Sequence, residues 1–186
     1  MMVYRRFQYK DGLDIIAPLK HGTRWLEEET TPNKIIEDPL SRGELKKYPI
    51  NENTYWIYRN GKDHLLSALM TEIRGAIEFE TDDIQTIIDK FLSGDTTHWS
   101  STTYKKMYQY WNIHNFIPIH LSNISSLFNV GFQKEKYEMQ SYTKTLYDVN
   151  YIIELVGDTT LNQLMEMVSK DEIYLNMILT NTHKII

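Results

Sequence analysis

Residues 16–28 read IAPLKHGTRWLEE, and they predict a buried strand that passes through a short turn into a helix. The apolar, β-branched run at 13–17 is followed by Pro18, as is typical of a buried strand. Helical character begins at Thr23. The turn that starts at Lys20 is therefore either an ordinary connection between two elements or a binding site for a phosphate.

The rest of the chain alternates between the patterns of strands and helices. TYWIY at 54–58 predicts a second strand because β-branched and aromatic residues fill it, and FIPIHL at 116–121 predicts another. Helices are predicted at 23–29, at 62–74, between a capping Thr81 and Gly94, around 104–111, and at 148–156 and 160–168. NKIIED at 33–38 predicts a short strand, and 39–49 is predicted to be loop. This alternation predicts a single α/β domain over 1–186, with three layers and a central parallel sheet flanked by helices.

The composition indicates a folded protein without a broad charged surface. Apolar residues make up 41% and charged residues 24% of the 186 residues, which is near the globular average. The net charge of −5 argues against nucleic acid or an anionic membrane as a partner. No apolar run reaches the roughly 18–20 residues of a membrane span. The absence of cysteine and of an apolar N-terminal signal core predicts a cytoplasmic protein.

The first turn combines the groups that hold a phosphate. Gly22 allows the backbone to approach an anion, Thr23 adds a hydroxyl beside the N–H groups of the helix start, and Lys20 adds a point charge. The pattern is not a Walker A loop, because the order Gly-Lys-Ser/Thr and its preceding glycine are absent. A strand–helix turn with a surface lysine is the plain alternative.

A second turn, within YRNGKDHLLS at 58–67, follows the strand at 54–58. Arg59 offers a fork of donors to a phosphate, and Ser67 on the next predicted helix offers one hydroxyl. Both turns follow predicted parallel strands, where ligands of α/β proteins bind. The plain alternative is an arginine paired with a carboxylate and a serine that faces solvent.

Together, PLKHGTRWL at 18–26 and YRNGKDHLLS at 58–67 resemble two motifs of the sulfotransferases that use 3′-phosphoadenosine-5′-phosphosulfate. That family carries a Lys-x-Gly-Thr loop for the 5′-phosphosulfate and a strand ending in Arg-Asn/Asp-Pro-x-Asp-x-x-x-Ser for the 3′-phosphate. The first motif is especially similar to the Lys-Gly-Gly-Thr-Arg form of heparan sulfate sulfotransferases. The resemblance covers 13–67 well, 98–128 loosely and the C-terminal third hardly at all.

The resemblance implies a P-loop-like sulfotransferase fold and metal-free transfer of a sulfuryl group to a hydroxyl or amine. The acceptor would be a small molecule, a sugar or a lipid head group, since the acidic balance argues against a long polyanion. Lys20 would stabilise the charge that grows on the bridging oxygen, while Arg59 and Ser67 would bind the 3′-phosphate. The residues implied to bind the nucleotide are Lys20, His21, Gly22, Thr23, Arg24, Trp25, Arg59 and Ser67.

The sequence does not single out the base that takes the proton of the acceptor. Glu28 and His98 are the main candidates for this base, and with Lys20 they make up the predicted catalytic residues. A run of glutamates near a helix start is more often a solvated face, and a lone histidine is more often structural. Glu27, Glu29, His21, Glu37 and Asp38 are the further candidates.

The chain departs from the family pattern in three ways. Gly61 replaces the usual proline, Lys20 and Arg59 are only 39 positions apart, and the basic glycine-rich loop near the C-terminus has only YTKT at 142–145 as a weak counterpart. In typical members of the family a longer segment separates these two residues, and it contributes acceptor binding and the base. A noncatalytic protein that binds the nucleotide or a partner is therefore the main alternative. A nucleotide kinase is disfavoured because no evident magnesium carboxylate accompanies Lys20, and an α/β scaffold protein is the simplest alternative.

Overall fold

The fold is that of a computed structural model, which describes residues 2–128 and 149–183. Its elements in chain order are β1 (Tyr4–Gln8), β2 (Asp14–Pro18), α1 (Thr23–Glu29), β3 (Lys34–Glu37), α2 (Arg42–Lys47), β4 (Tyr55–Tyr58), α3 (Gly61–Phe79), α4 (Ile84–Leu92), α5 (Thr103–His114), β5 (Ile117–His120), a 3₁₀ helix (Leu121–Leu127), α6 (Val149–Val156) and α7 (Asp158–Asn181).

Five strands form one mixed sheet in the order β3-β1-β2-β4-β5. β2, β4 and β5 are parallel, with Ile16 opposite Trp56 and Tyr55 opposite Ile117. β1 is antiparallel to both β2 and β3, because a tight turn that contains Gly12 at φ 90° joins β1 directly to β2. The prediction of a parallel sheet is therefore wrong at β1, which lies antiparallel between β3 and β2, and correct for β2, β4 and β5, which carry the candidate site.

The sequence pattern did not predict β1, because two arginines interrupt its apolar residues. Arg6 is nevertheless only 2% exposed. Its guanidinium makes a bidentate ion pair with Asp14, with Nε to Oδ1 at 2.7 Å and Nη2 to Oδ2 at 2.6 Å. A buried arginine of this kind looks polar in the sequence and behaves as a core residue in the fold.

A short helix, α2, lies where the sequence predicted loop at 39–49. Ser41 accepts a hydrogen bond from the backbone N–H of Glu44 at 3.3 Å, which is half of the capping box that Ser-x-x-Glu encodes. The loop prediction was wrong because it relied on Pro39 and Pro49 and did not include the capping signal between them.

Other element boundaries differ from the predictions at their ends. α3 extends beyond 62–74, and α7 extends well beyond 160–168. The cap of α4 is Asp83, which accepts from Thr86 N at 2.7 Å, and the predicted cap Thr81 lies outside the helix. The YTKT segment at 142–145 lies outside the described residues.

Helices cover both faces of the sheet. Ile15 and Ala17 of β2 point to a core shared with α1 and the 3₁₀ helix, while Ile16 between them points to a core shared with α5 and α7. A third apolar cluster joins α3, α4, α6 and α7 beside the sheet. The chain is thus an α/β protein with a mixed sheet between helices. Within the described residues, no helix combines the length and apolar character that crossing a bilayer requires.

Candidate functional site

The two turns singled out in the sequence meet at the carboxyl ends of β2 and β4. Arg59 Nη1 donates a hydrogen bond to the backbone carbonyl of Lys20 at 2.8 Å, across 39 positions of sequence. The contact arises because β2 and β4 are adjacent and parallel, so that both chains leave the sheet at the same edge. Only the sheet pairing brings these residues together.

The first turn has a backbone that requires glycine. Gly22 has φ 80°, and Lys20 also has a positive φ of 67°. A Cβ at Gly22 would lie 2.8 Å from Leu121 Cδ1, so the glycine also makes room for the 3₁₀ helix. Gly22 therefore has a conformational role and a packing role in addition to any role in binding.

The side chains that follow Lys20 divide between the core and the surface. His21, Thr23 and Trp25 are buried, and the Trp25 ring packs against Phe128 at 5.5 Å between centroids. Arg24 is exposed and pairs with Glu28, with Nε to Oε1 at 2.7 Å. The predicted base Glu28 therefore lies in an ion pair on the outer face of α1, and Trp25 lies in the apolar core.

Lys20 stands among positive charges. Burial and, after it, the Arg59 charge lower the pKa of Lys20 to about 8, although the nearby Glu72 carboxylate acts in the opposite direction. Arg24 and Arg74 add smaller positive contributions. The positive charge at this sheet edge is thus local, in a chain whose net charge is −5.

The second turn continues into α3, and Ser67 lies on that helix. Ser67 is half-buried. It lies three positions after His64 and seven positions before Arg74, so these three residues lie on one side of α3. Its backbone carbonyl accepts from Thr71 Oγ1 at 2.9 Å. Ser67 thus lies on the same side of the helix as the basic Arg74 and the buried His64.

The N-terminus of α3 is already bonded by groups of this chain. Asn60 Oδ1 accepts from Lys62 N at 2.9 Å and from Asp63 N at 3.3 Å, and Glu172 Oε1 of α7 accepts from Gly61 N at 2.7 Å. A Cβ at Gly61 would lie 2.8 Å from Glu172 Oε1. Proline has no N–H to donate, so the Glu172 contact accounts for glycine at a position where the sulfotransferase motif has proline.

Two buried histidines lie between the turns. The rings of His21 and His64 meet edge to face with centroids 4.4 Å apart. Burial lowers the pKa of His64 to about 3 and holds the pKa of His21 well below its usual range, so both are neutral at physiological pH. His21 Nδ1 contacts the carbonyl of Leu19 at 3.1 Å, while His21 Nε2 is buried and has no hydrogen-bond partner among the described residues.

His98 is tied to both His64 and Glu72. His64 Nε2 donates to the His98 carbonyl at 2.9 Å, and His98 Nδ1 lies 2.5 Å from Glu72 Oε1. The His98 side chain is 26% exposed. Of the two candidate bases, His98 is therefore the one joined through Glu72 to the surroundings of Lys20.

Of the further candidate bases, His21 is buried beside His64, and the four carboxylates lie elsewhere towards the surface. Glu27 and Glu37 both pair with Arg5, and Glu29 and Asp38 are exposed. Across the described residues, no group of three or more His, Asp and Glu side chains is placed to hold a metal ion.

Sequence reasoning missed Glu72, His64 and Glu172. Glu72 and His98 are 26 positions apart, and Gly61 and Glu172 are 111 positions apart, so no local pattern connects either pair. The glycine at position 61, where the motif has proline, was the one available signal that another group approaches the start of α3.

Comparison with known proteins gives no match to a family model, to a curated protein or to a solved structure.

Proposed function

We propose that this chain binds 3′-phosphoadenosine-5′-phosphosulfate and transfers its sulfuryl group to a hydroxyl or amine of a small molecule, sugar or lipid head group, in a P-loop-like sulfotransferase fold. The observation that carries the proposal is the 2.8 Å hydrogen bond from Arg59 to the Lys20 carbonyl. It brings the two motif turns together at the sheet edge where α/β proteins bind ligands.

The local charge supports an anionic ligand. Burial and, after it, the neighbouring charge of Arg59 lower the pKa of Lys20, so these two like charges repel each other in the unliganded chain. A phosphate or sulfate group between them would relieve that repulsion and form charge-assisted hydrogen bonds. The cluster is thus better suited to an anion than to a neutral ligand.

Each residue has a separate role in the proposed reaction. Arg59 and Ser67 hold the 3′-phosphate, which does not change during transfer. Lys20 stabilises the negative charge that grows on the oxygen between sulfur and phosphate. His98 takes the proton of the acceptor. The cysteine-free composition fits a cytoplasmic location for this proposed reaction.

A noncatalytic protein that binds the nucleotide is the second candidate. Two observations favour it: Glu172 occupies the start of α3, and only 39 positions separate Lys20 from Arg59, where the family places acceptor-binding residues. Both candidates predict nucleotide binding, and only the first predicts transfer.

Calorimetry with adenosine 3′,5′-bisphosphate and adenosine 5′-monophosphate tests the shared part. Hydrogen bonds to charged groups contribute about 1.5–3 kcal/mol each, so losing the 3′-phosphate should weaken binding at least about tenfold. Equal affinities, or no binding of either nucleotide, would contradict the proposal. Sulfuryl transfer from the donor to a panel of hydroxylated acceptors then separates the enzyme from the noncatalytic binder.

A further inference from the structure

His98 lies in a turn whose backbone is held on both sides. Thr96 Oγ1 accepts from the N–H groups of His98 at 3.3 Å and of Trp99 at 3.0 Å, and Thr96 N donates to the Trp99 carbonyl at 2.8 Å. The His98 carbonyl accepts from the neutral, buried His64 at 2.9 Å. The imidazole of His98 therefore projects from a turn with a defined backbone.

The contact with Glu72 defines which ring nitrogen of His98 carries the proton. An ionised carboxylate can only accept a hydrogen bond, so the 2.5 Å contact between Glu72 Oε1 and His98 Nδ1 requires the hydrogen on Nδ1. In the neutral ring Nε2 then carries a lone pair. Among the described residues His98 Nε2 has no hydrogen-bond partner, and the side chain is partly exposed.

Glu72 also links this histidine to the first turn. Its carboxylate acts on Lys20 against the effects of burial and of Arg59, so Glu72 lies within electrostatic reach of the Lys20 ammonium. His64, which holds the His98 backbone, contacts His21 of the same turn. His98 and Lys20 thus belong to one network of contacts.

We propose that Glu72 is a positioning residue that holds His98 with Nε2 directed to the acceptor, so that His98 acts as the base towards a hydroxyl group. This inference rests on the proposed sulfuryl transfer. His98 Nε2 takes the hydroxyl proton as the hydroxyl oxygen forms its bond to sulfur. The bond between sulfur and the 5′-phosphate oxygen breaks, and its electron pair stays on that oxygen beside Lys20.

This arrangement predicts a dependence on the acidity of the acceptor. A neutral alcohol needs a base to lose its proton, whereas a nitrophenol that is already ionised in the assay does not. A residue that only supports the fold would affect both acceptors equally. The comparison of the two acceptors therefore separates a role in proton transfer from a role in stability.

The experiment measures transfer from 3′-phosphoadenosine-5′-phosphosulfate to a primary alcohol and to 4-nitrophenol at a pH where the phenol is ionised. A general base contributes on the order of 10²–10⁴-fold, so His98→Gln should lower transfer to the alcohol about 100-fold or more. Glu72→Gln should lower it about tenfold or more, because the amide no longer enforces one tautomer. Both variants should keep transfer to the nitrophenol within about threefold of the unaltered chain. Glu78→Gln, an exposed carboxylate on the same helix, is the matched control.

A second measurement does not depend on turnover. Nitrogen-15 spectra of labelled histidine should show His98 with the proton on Nδ1, and Glu72→Gln should produce a mixture of both tautomers while Glu78→Gln leaves it unchanged. Equal loss of transfer to both acceptors, or an unaltered tautomer in Glu72→Gln, overturns the inference and leaves the proposed function standing. Absence of transfer by the unaltered chain to every acceptor overturns the proposed activity and this inference together.

Discussion

Arg59 donates a hydrogen bond to the carbonyl of Lys20 at 2.8 Å, so one basic side chain holds the turn that presents another. The contact keeps two positive charges close, and it contributes to the lowered pKa of Lys20. An anion that binds between them would stabilise the charged form of Lys20. Ligand binding and the protonation of Lys20 are therefore expected to be coupled.

Replacing Lys20 and Arg59 separately should affect different steps. Arg59→Ala should mainly weaken binding of adenosine 3′,5′-bisphosphate, by about tenfold or more, because it removes a contact to an unchanging phosphate. Lys20→Ala should lower turnover more than affinity, because its charge matters most in the transition state. Calorimetry and a transfer assay on the same preparations measure both effects.

The controls for this pair are Arg42→Ala and Lys46→Ala, which remove the same charges from exposed positions on α2. Melting curves exclude unfolding as the cause of any loss. If Lys20→Ala leaves transfer intact, the role given to Lys20 is wrong.

Bisphosphate affinity should fall as pH rises through about 8, the pKa of Lys20. Only the protonated amine attracts the anion, so the apparent dissociation constant should increase about tenfold between about pH 7.5 and 9. Lys20→Ala should bind more weakly and lose this dependence. Calorimetry across that range at constant ionic strength is the measurement.

The stability of the unliganded chain provides the control for pH. A lysine whose folded pKa is lowered from 10.5 to about 8 makes the free energy of unfolding rise over that range, because the unfolded chain binds more protons. Above about pH 8 the contribution of Lys20 to the free energy of unfolding therefore rises, whereas the affinity for the bisphosphate is expected to fall. A flat affinity profile in the unaltered chain would show that Lys20 does not meet the anion.

Glu172→Gln should improve selectivity for the 3′-phosphate. The glutamine keeps an oxygen that can accept from Gly61 N, which Glu172 now contacts at 2.7 Å, and it removes a negative charge from the start of α3. Relief of about 1–2 kcal/mol of repulsion should strengthen bisphosphate binding about tenfold. Binding of adenosine 5′-monophosphate should be nearly unchanged.

Glu166→Gln on the same helix is the matched control, because Glu166 is exposed and pairs only with Lys170 among the described contacts. An equal gain for both nucleotides would point to a general charge effect, and no gain at all would mean that the 3′-phosphate does not approach α3.

Arg6→Ala should destabilise the fold strongly. Its guanidinium bonds to Asp14 and to the carbonyls of Tyr48 and Pro49, and its loss leaves Asp14 with only Thr54 Oγ1 at 2.8 Å among these partners. Removing one member of a buried ion pair typically costs about 3–5 kcal/mol. Urea unfolding measures the change.

Arg5→Ala is the control for this prediction, since the neighbouring Arg5 pairs with Glu27 and Glu37 near the surface and should cost about 1 kcal/mol or less. Similar losses for the two arginine variants would contradict the buried role of Arg6.

Local sequence patterns were sufficient for much of the framework. The apolar runs of β2, β4 and β5, the periodicity of α4 and the strand-to-helix turns at Lys20 and Arg59 were all predicted, because each depends on residues close together in the chain. They also predicted that both basic turns lie at the carboxyl ends of parallel strands. The three parallel strands that carry the candidate site follow directly from them.

The tertiary structure decided which residues complete the candidate site. The antiparallel strand β1 carries Arg6, whose buried ion pair with Asp14 reads as polar surface in the sequence. Glu72 reaches His98, and α7 brings Glu172 to Gly61, only after the helices pack. Contacts between residues tens of positions apart leave no periodic trace, because their spacing is set by sheet order and helix packing and not by the geometry of one element.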